Sequence, residues 1–184
     1  SGPVILFDYP KAEHLSEHLN TIDDIREVIS WDYFSAGEKV DEFAVMWAKQ
    51  VDSLMQNYSL DNNNLAIDVC DPVGIQALQN RYNYHLSNAQ ILTESARSIK
   101  SEDEIMCLRA SISVADIGIK EMRNNLIAGI TEEELWAYMH KVNIENGGEW
   151  FETRLLSSGP RTNPWLQECS NRIIQKGDLV AFDT

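Results

Sequence analysis

The sequence predicts a mixed α/β fold in two parts, an α/β N-terminal part followed by an α+β part. Residues 3–80 alternate strand-like apolar runs with amphipathic helical patterns, which is typical of a mostly parallel sheet with helices packed on it. Residues 101–146 contain two consecutive helical patterns, each opened by a capping box. Residues 147–184 then read as short extended segments and turns. The expected domains are 1–92 and 93–184.

The first part contains strands and helices with clear boundaries. The predicted strands are 3–9, 25–34 and 65–70, and the predicted helices are 39–58 and 71–80. Apolar residues in 39–58 recur at steps of three and four, which places them on one helical face. Asp71 is a good N-cap, and Pro72 fits the first helical position, where its missing N–H would be unpaired in any case. Residues 61–64, rich in Asn and Asp, indicate a turn.

The second part contains the strongest local patterns in the chain. Capping boxes occupy 101–104 and 131–134, and their acidic side chains lie over the positive ends of the helices that follow. Apolar residues across 105–126 repeat at alternating steps of three and four. This repeat predicts a helix of about six turns with a continuous apolar stripe. Gly129 is expected to end that helix, and the second helix is expected to run to about Asn146.

Charge and composition exclude some classes of partner. The 184 residues include 15 Lys and Arg against 29 Asp and Glu, a net charge of −14. Nucleic acid is therefore not expected as a partner, because phosphate binding needs a basic face. Cationic or zwitterionic small molecules and divalent metals remain compatible. No apolar run approaches the roughly 18 residues of a membrane span, and three widely spaced cysteines fit a reducing cytoplasm.

The residues most suggestive of chemistry lie in 147–184, which is dense in Trp, Arg, Gly and Pro. Asp183 follows an apolar strand-like run. A carboxylate in that position is desolvated unless it binds a metal, a cation or several donors. The alternative is a carboxylate that simply faces solvent at the end of a strand.

Several motifs in the second part resemble those of the pita-bread metalloenzymes, the superfamily of creatinase, prolidase, aminopeptidase P and methionine aminopeptidase. They are Ser-x-x-Glu-Ile at 101–105, Gly-Ile-Thr-Glu-x-Glu-Leu at 129–135, Ser-Gly-Pro at 158–160 and Arg-Ile-Ile-x-x-Gly-Asp-Leu-Val-x-x-Asp at 172–183. Residues 1–92 more weakly resemble the later part of a creatinase-like N-terminal domain. The stretches 147–169 and 181–184 look most similar to the dimethylsulfoniopropionate lyases built on this fold.

The resemblance implies a site with Asp, His and Glu ligands around two divalent metal ions, Fe, Mn, Co or Zn. Asp183 matches the first of these ligands. The other ligands and the general base of the family would follow Thr184, so the chain is expected to be a fragment whose pita-bread domain is truncated. No catalytic residue is assigned within the sequence.

The same resemblance suggests which residues would contact a substrate. Peptidase members of the superfamily usually carry a histidine before the Arg-x-Ile-x-x-Gly-Asp stretch, and Trp165 stands in its place. A tryptophan cannot shuttle a proton as an imidazole does, but it can stack on a cation. We therefore expect Trp165, with Trp150, to face a sulfonium group, and Arg161 to hold a carboxylate. The alternative for both tryptophans is packing at a domain interface.

Three functions remain in view. The first is a lyase that converts dimethylsulfoniopropionate, a small zwitterion, to dimethyl sulfide and acrylate. The second is a peptidase or dipeptidase that cleaves Xaa-Pro peptides. The third is a truncated, non-catalytic module that acts through dimer contacts. The resemblance also suggests a homodimer that uses the N-terminal domain, and the cysteine usage suggests a cytoplasmic location.

Overall fold

The computed structural model describes residues 2–58 and 63–184. The turn predicted at 61–64 falls partly outside these residues. The chain divides into two compact units, Ser1–Ile99 and Lys100–Thr184. Among the described residues, the helices are all too short or too polar to cross a membrane.

The described residues of the first unit form two pairs of short strands and four α-helices. The strands are β1 (Ile5–Asp8), β2 (Asp24–Glu27), β3 (Asn64–Ile67) and β4 (His85–Asn88), and the helices are α1 (Tyr33–Ala36), α2 (Val40–Asn57), α3 (Pro72–Tyr82) and α4 (Gln90–Ser98). β1 pairs with β2 and β3 with β4, both in parallel. The predicted parallel strand direction is confirmed, but the strands form two separate pairs instead of one sheet.

Helices α2 and α3 enclose the core of the first unit. Ala44, Ala48 and Leu78 are fully buried there. Small residues on α2 allow the two helices to approach closely, since alanine adds little bulk between them. Asp71 caps α3 as predicted by accepting from the Gly74 N–H at 2.8 Å.

The predicted strand 25–34 is wrong beyond Glu27. The side chain of Asp32 accepts hydrogen bonds from the Ser35 backbone N–H (3.0 Å) and from its hydroxyl (2.6 Å), and so starts α1 at Tyr33. The aromatic residues at 31–34 favour a strand by propensity, but a capped turn satisfies the backbone locally and prevails. Strand β4 and helix α4 were not predicted.

The second unit contains two long helices followed by an antiparallel strand pair. They are α5 (Glu102–Asn125), α6 (Glu132–Glu145), β5 (Leu156–Ser158) and β6 (Val180–Phe182). Both predicted capping boxes are confirmed, since each N-cap side chain and its partner glutamate bond reciprocally to the backbone. A short 3₁₀ turn, Gly159–Thr162, follows β5.

Helix α5 packs against α6 around Gly118. A Cβ atom at Gly118 would lie 2.3 Å from the Sδ of the buried Met139, so a larger residue here would force the Met139 side chain to move. The predicted apolar stripe of α5 is only partly covered. Met122 is buried, whereas Ile112 is 61% and Ile119 is 45% exposed. The physical reason is that α6 covers one side of α5 and leaves the neighbouring side open.

Candidate functional site

Asp183 lies directly after β6, where the strand pair ends. β5 and β6 are in register with Leu156 opposite Phe182, and the backbone N–H of Asp183 donates to the carbonyl of Leu155 at 3.0 Å. The backbone at Asp183 is therefore held by the strand pair while its carboxylate is exposed. The strand pair therefore fixes the backbone of the residue that the sequence predicts to be a metal ligand.

Thr184, the residue after Asp183, lines a cavity of about 470 Å³ in the second unit. The walls come from the middle of α5, the carboxyl-terminal half of α6 and the segment after it. Thr184 and Trp150 both line this cavity, together with Phe151 and the polar side chain of Asn143. Trp150 is 80% exposed. The structure therefore brings one of the two predicted tryptophans into the same cavity as the neighbour of Asp183.

Glu132, at the start of α6, is a fully buried carboxylate. One of its oxygens accepts from the Ser158 N–H and hydroxyl, both at 2.7 Å. The other accepts from the Ser170 N–H at 3.0 Å and hydroxyl at 2.8 Å. Ser158 and Ser170 flank residues 159–169, which we call the Trp165 loop. A single carboxylate thus holds both ends of that loop.

Arg161, within the Trp165 loop, completes the group around Glu132. One terminal nitrogen of its guanidinium pairs with the Glu132 carboxylate, and the other donates to the Glu168 carbonyl at 2.9 Å. The residue predicted to hold a substrate carboxylate is therefore already engaged with a carboxylate of its own chain. Trp165, 40% exposed, lies on the loop that these contacts hold.

Opposing effects set the pKa of Glu132. Burial acts to raise it, because desolvation disfavours the charged form. Hydrogen bonds from Ser158 and Ser170 and from the Arg161 guanidinium outweigh that effect and hold the pKa of the Glu132 carboxyl below its ordinary value. The carboxylate is therefore ionised at neutral pH.

A second ion pair fixes the turn before β6. Arg172 donates to Asp178 at 2.7 Å and also contacts the hydroxyl of Ser158. The hydrogen bond from Arg172, together with one from the backbone of Gln175, holds the pKa of Asp178 below its ordinary value. Gly159 must stay small here, since its φ is +53° and a Cβ would lie 2.5 Å from an Asp178 oxygen.

Sequence reasoning missed the role of Glu132 and its serine partners. Glu132 stands in a run of three glutamates at a helix start, which is the usual setting of solvated acids that favour the helix dipole. No signal in the run separates the buried glutamate from its exposed neighbours. Only the third member, Glu134, was recognised, as part of the capping box.

The described residues do not make a metal site by themselves. Asp183 offers a carboxylate, the donor type that divalent metals accept, but one carboxylate is too few for a two-metal site. Among residues 2–58 and 63–184, no cluster of three or more His, Cys, Asp or Glu side chains could hold a metal ion.

Comparison with known proteins supports the predicted resemblance. Residues 106–184 match the model of metallopeptidase family M24. The whole chain is 36% identical to the dimethylsulfoniopropionate lyase DddP of Roseobacter denitrificans and 37% identical to that of Roseovarius nubinhibens. In both comparisons the chain spans 42% of the relative's length.

Solved structures show the same fold. An X-Pro aminopeptidase from Thermotoga maritima matches 96% of this chain with a TM-score of 0.70 at 15% identity, and the match covers 45% of that protein. The prolidase of Pyrococcus horikoshii matches 69% of this chain with a TM-score of 0.59 at 26% identity, over 38% of its own length. The mixed α/β arrangement is therefore that of pita-bread aminopeptidases and prolidases. Residues 106–184 are therefore similar to a segment of the M24 metallopeptidase model, in a chain that is similar along its whole length to the two DddP lyases.

Proposed function

We propose that the chain is part of a metal-dependent lyase that cleaves dimethylsulfoniopropionate. The observation that carries the proposal is the identity of 36–37% to two such lyases over the whole chain. The strongly acidic composition is compatible with a substrate that bears a cationic group.

The proposed reaction is an elimination. A base takes a proton from the carbon next to the substrate carboxylate, a carbon–carbon double bond forms, and the bond to sulfur breaks. Its electron pair leaves with the sulfur as neutral dimethyl sulfide, and acrylate remains. The base and the further metal ligands would come from residues outside this sequence, with Asp183 as one of the ligands to two divalent ions of the Fe, Mn, Co or Zn type.

Trp150 and Trp165 are proposed to contact the sulfonium group. An indole face attracts a cation, and the attraction strengthens where water is excluded. Trp150 has the more direct structural support, because it lines the cavity that Thr184 also lines. The predicted carboxylate-binding role of Arg161 is not tested by the structure, and the pairing of its guanidinium with Glu132 argues against that role.

An Xaa-Pro peptidase is the second candidate function. It is favoured by the fold shared with an X-Pro aminopeptidase and several prolidases. Trp165 is the residue that argues against it, because peptidase members usually carry a histidine there.

The decisive experiment uses the longest native polypeptide that contains this chain. The metal-loaded protein is incubated with dimethylsulfoniopropionate, and dimethyl sulfide is measured in the headspace. A parallel incubation with an Xaa-Pro dipeptide measures free proline. Release of dimethyl sulfide without proline supports the lyase. Release of proline alone would replace it with the peptidase, and neither product would favour the non-catalytic module.

The substrate-contact roles are tested in the same protein. Trp150→Ala and Trp165→Ala are each expected to raise KM for the sulfonium substrate about 5- to 30-fold, which corresponds to the loss of a desolvated cation–π contact. Trp150→Phe and Trp165→Phe are the matched controls. Because they keep an aromatic face, their KM should stay close to that of the wild-type protein. Unchanged KM in an alanine variant would remove that tryptophan from the substrate site.

We also propose a cytoplasmic homodimer with two domains, a creatinase-like N-terminal domain at 1–92 and the first part of a pita-bread domain at 93–184. The three free cysteines support a reducing compartment. Light scattering coupled to size exclusion tests the dimer, and limited proteolysis tests the boundary.

A further inference from the structure

We propose that Glu132 and Arg161 form a positioning centre for the Trp165 loop, with Arg161 acting on the substrate through that loop instead of binding it. The part of this inference that concerns substrate rests on the proposed lyase function. The part that concerns the loop does not.

The contacts of Glu132 are distributed in a way that suits this role. Its two oxygens serve opposite ends of the loop, Ser158 through one oxygen and Ser170 through the other. Each end contributes both a backbone N–H and a hydroxyl. Hydrogen bonds to an ionised acceptor are stronger than neutral ones. Loss of the carboxylate would therefore weaken both ends of the loop together.

The contacts of Arg161 also support a role in holding the Trp165 loop. The guanidinium reaches from within the loop to Glu132 and to the carbonyl of Glu168, close to the other end. Both terminal nitrogens are thus used by the chain. A bidentate grip on a substrate carboxylate through these two terminal nitrogens would compete with the contacts to Glu132 and Glu168.

The electrostatic balance also favours a fixed Arg161. Glu132 is fully buried, and Arg161 is its ion-pair partner in the structure. A substrate that drew the guanidinium away would leave a buried carboxylate without its counter-charge, which is strongly unfavourable. The pair is therefore suited to a permanent structural contact that holds Trp165 in place.

The first test measures the loop directly in the chain itself. Amide hydrogen exchange is followed in the wild-type protein and in the Glu132→Gln, Arg161→Met and Glu133→Gln variants. Glu133 is exposed and one residue away. Its backbone N–H donates to the Ser170 carbonyl at 3.2 Å, and the side-chain substitution removes the same charge while keeping that bond. In Glu132→Gln an amide NH₂ replaces one accepting oxygen. It then faces the N–H and hydroxyl donors of Ser158 or those of Ser170, which it cannot accept from.

We expect both centre variants to speed exchange at Ser158 and Ser170 about tenfold or more. Glu132→Gln loses charge-assisted bonds to these amides, and Arg161→Met leaves the buried carboxylate that holds them without its counter-charge. Exchange in the middle of α5 should not change, and Glu133→Gln should match wild type. If Glu132→Gln does not fold, Arg161→Lys decides: it keeps the charge, loses the two-pronged contact and should accelerate exchange less than Arg161→Met. Wild-type exchange in the Arg161 variants would overturn the proposal.

The second test separates positioning from substrate binding in the longest native polypeptide that contains the chain. KM and kcat are measured for dimethylsulfoniopropionate and for its methyl ester, which lacks the carboxylate charge. Positioning predicts that Glu132→Gln and Arg161→Met raise KM for both compounds by similar factors. Direct binding by Arg161 predicts that only Arg161→Met erases the preference for the free acid, and that result would overturn the proposal.

The two tests fail independently. Absence of lyase turnover in the wild-type protein would reject the proposed function, while the exchange measurement would still decide whether Glu132 and Arg161 hold the loop.

Discussion

Glu132 is a charged side chain in the interior of the second unit, and its partners keep it ionised. Serine hydroxyls, backbone N–H groups and one guanidinium supply the solvation that water would otherwise give. The position requires a hydrogen-bond acceptor, because an apolar residue of similar size would leave those donors unpaired.

The ionisation of Glu132 makes part of the stability pH-dependent. Its folded pKa lies below the ordinary value of 4.5. A carboxyl with a depressed folded pKa stabilises the fold fully above its unfolded pKa and loses that contribution as pH falls through the folded pKa. The stabilisation by Glu132 is therefore present at neutral pH and disappears in acid.

Glu132→Gln should accordingly cost roughly 1.5–3 kcal/mol or more near pH 7, the range for a hydrogen bond to a charged group. The difference from wild type should shrink below pH 4.5. Urea unfolding at a series of pH values measures this. Glu133→Gln is the control for the loss of one negative charge at the same helix start. A difference that stayed constant down to strongly acid pH would contradict the assignment of the charge.

At the scale of elements, the boundaries that sequence predicts well are those set by local hydrogen bonds. The two capping boxes and the Asp71 cap are satisfied within four residues, so their chemistry is visible in a short window. Helix α4 was missed because it lacks a side-chain cap and has no buried residue. Its short apolar pattern could equally be read as a loop.

Gly118 shows an element-scale constraint that sequence does not reveal. Glycine inside a helix normally lowers stability, yet here it permits the contact between α5 and the Met139 side chain. The reason lies on another helix and cannot be inferred from α5 alone.

Gly118→Val is therefore expected to destabilise the second unit by roughly 1–3 kcal/mol through overpacking against Met139. Ser113→Val, at an exposed position of the same helix, is the matched control for β-branched helix propensity. Chemical denaturation followed by circular dichroism measures both. Equal losses in the two variants would show that propensity, rather than the helix contact, sets the cost.

At the scale of the whole molecule, the candidate site is predicted from sequence less completely than the fold. Asp183 follows its strand as expected, and Trp150 lines the cavity beside it. Arg161, by contrast, pairs with a carboxylate 29 residues earlier in the chain. Such a long-range pairing depends on how α6 and the strands meet, and no motif encodes it.

The exposed apolar stripe of α5 indicates a surface that a longer protein would cover. Leu108, Ile112 and Ile119 face outward on a helix that is apolar on more than one side, and such helices are normally covered on more than one side. The chain spans 42% of the length of its lyase relatives. We therefore expect residues from the remainder of a relative-length protein to cover this stripe.

The double variant Ile112→Gln/Ile119→Gln tests that expectation in two proteins. In the 184-residue chain it should lower dye binding to apolar surface and reduce self-association, because the stripe faces water there. In the longest native polypeptide it should instead lower the free energy of unfolding, by roughly 1.5–3 kcal/mol for each buried isoleucine. Lys120→Gln, at an exposed position of the same helix, is the control. Equal stability of the longer protein with and without the double change would mean that the stripe stays in water, and the surface would then need another explanation.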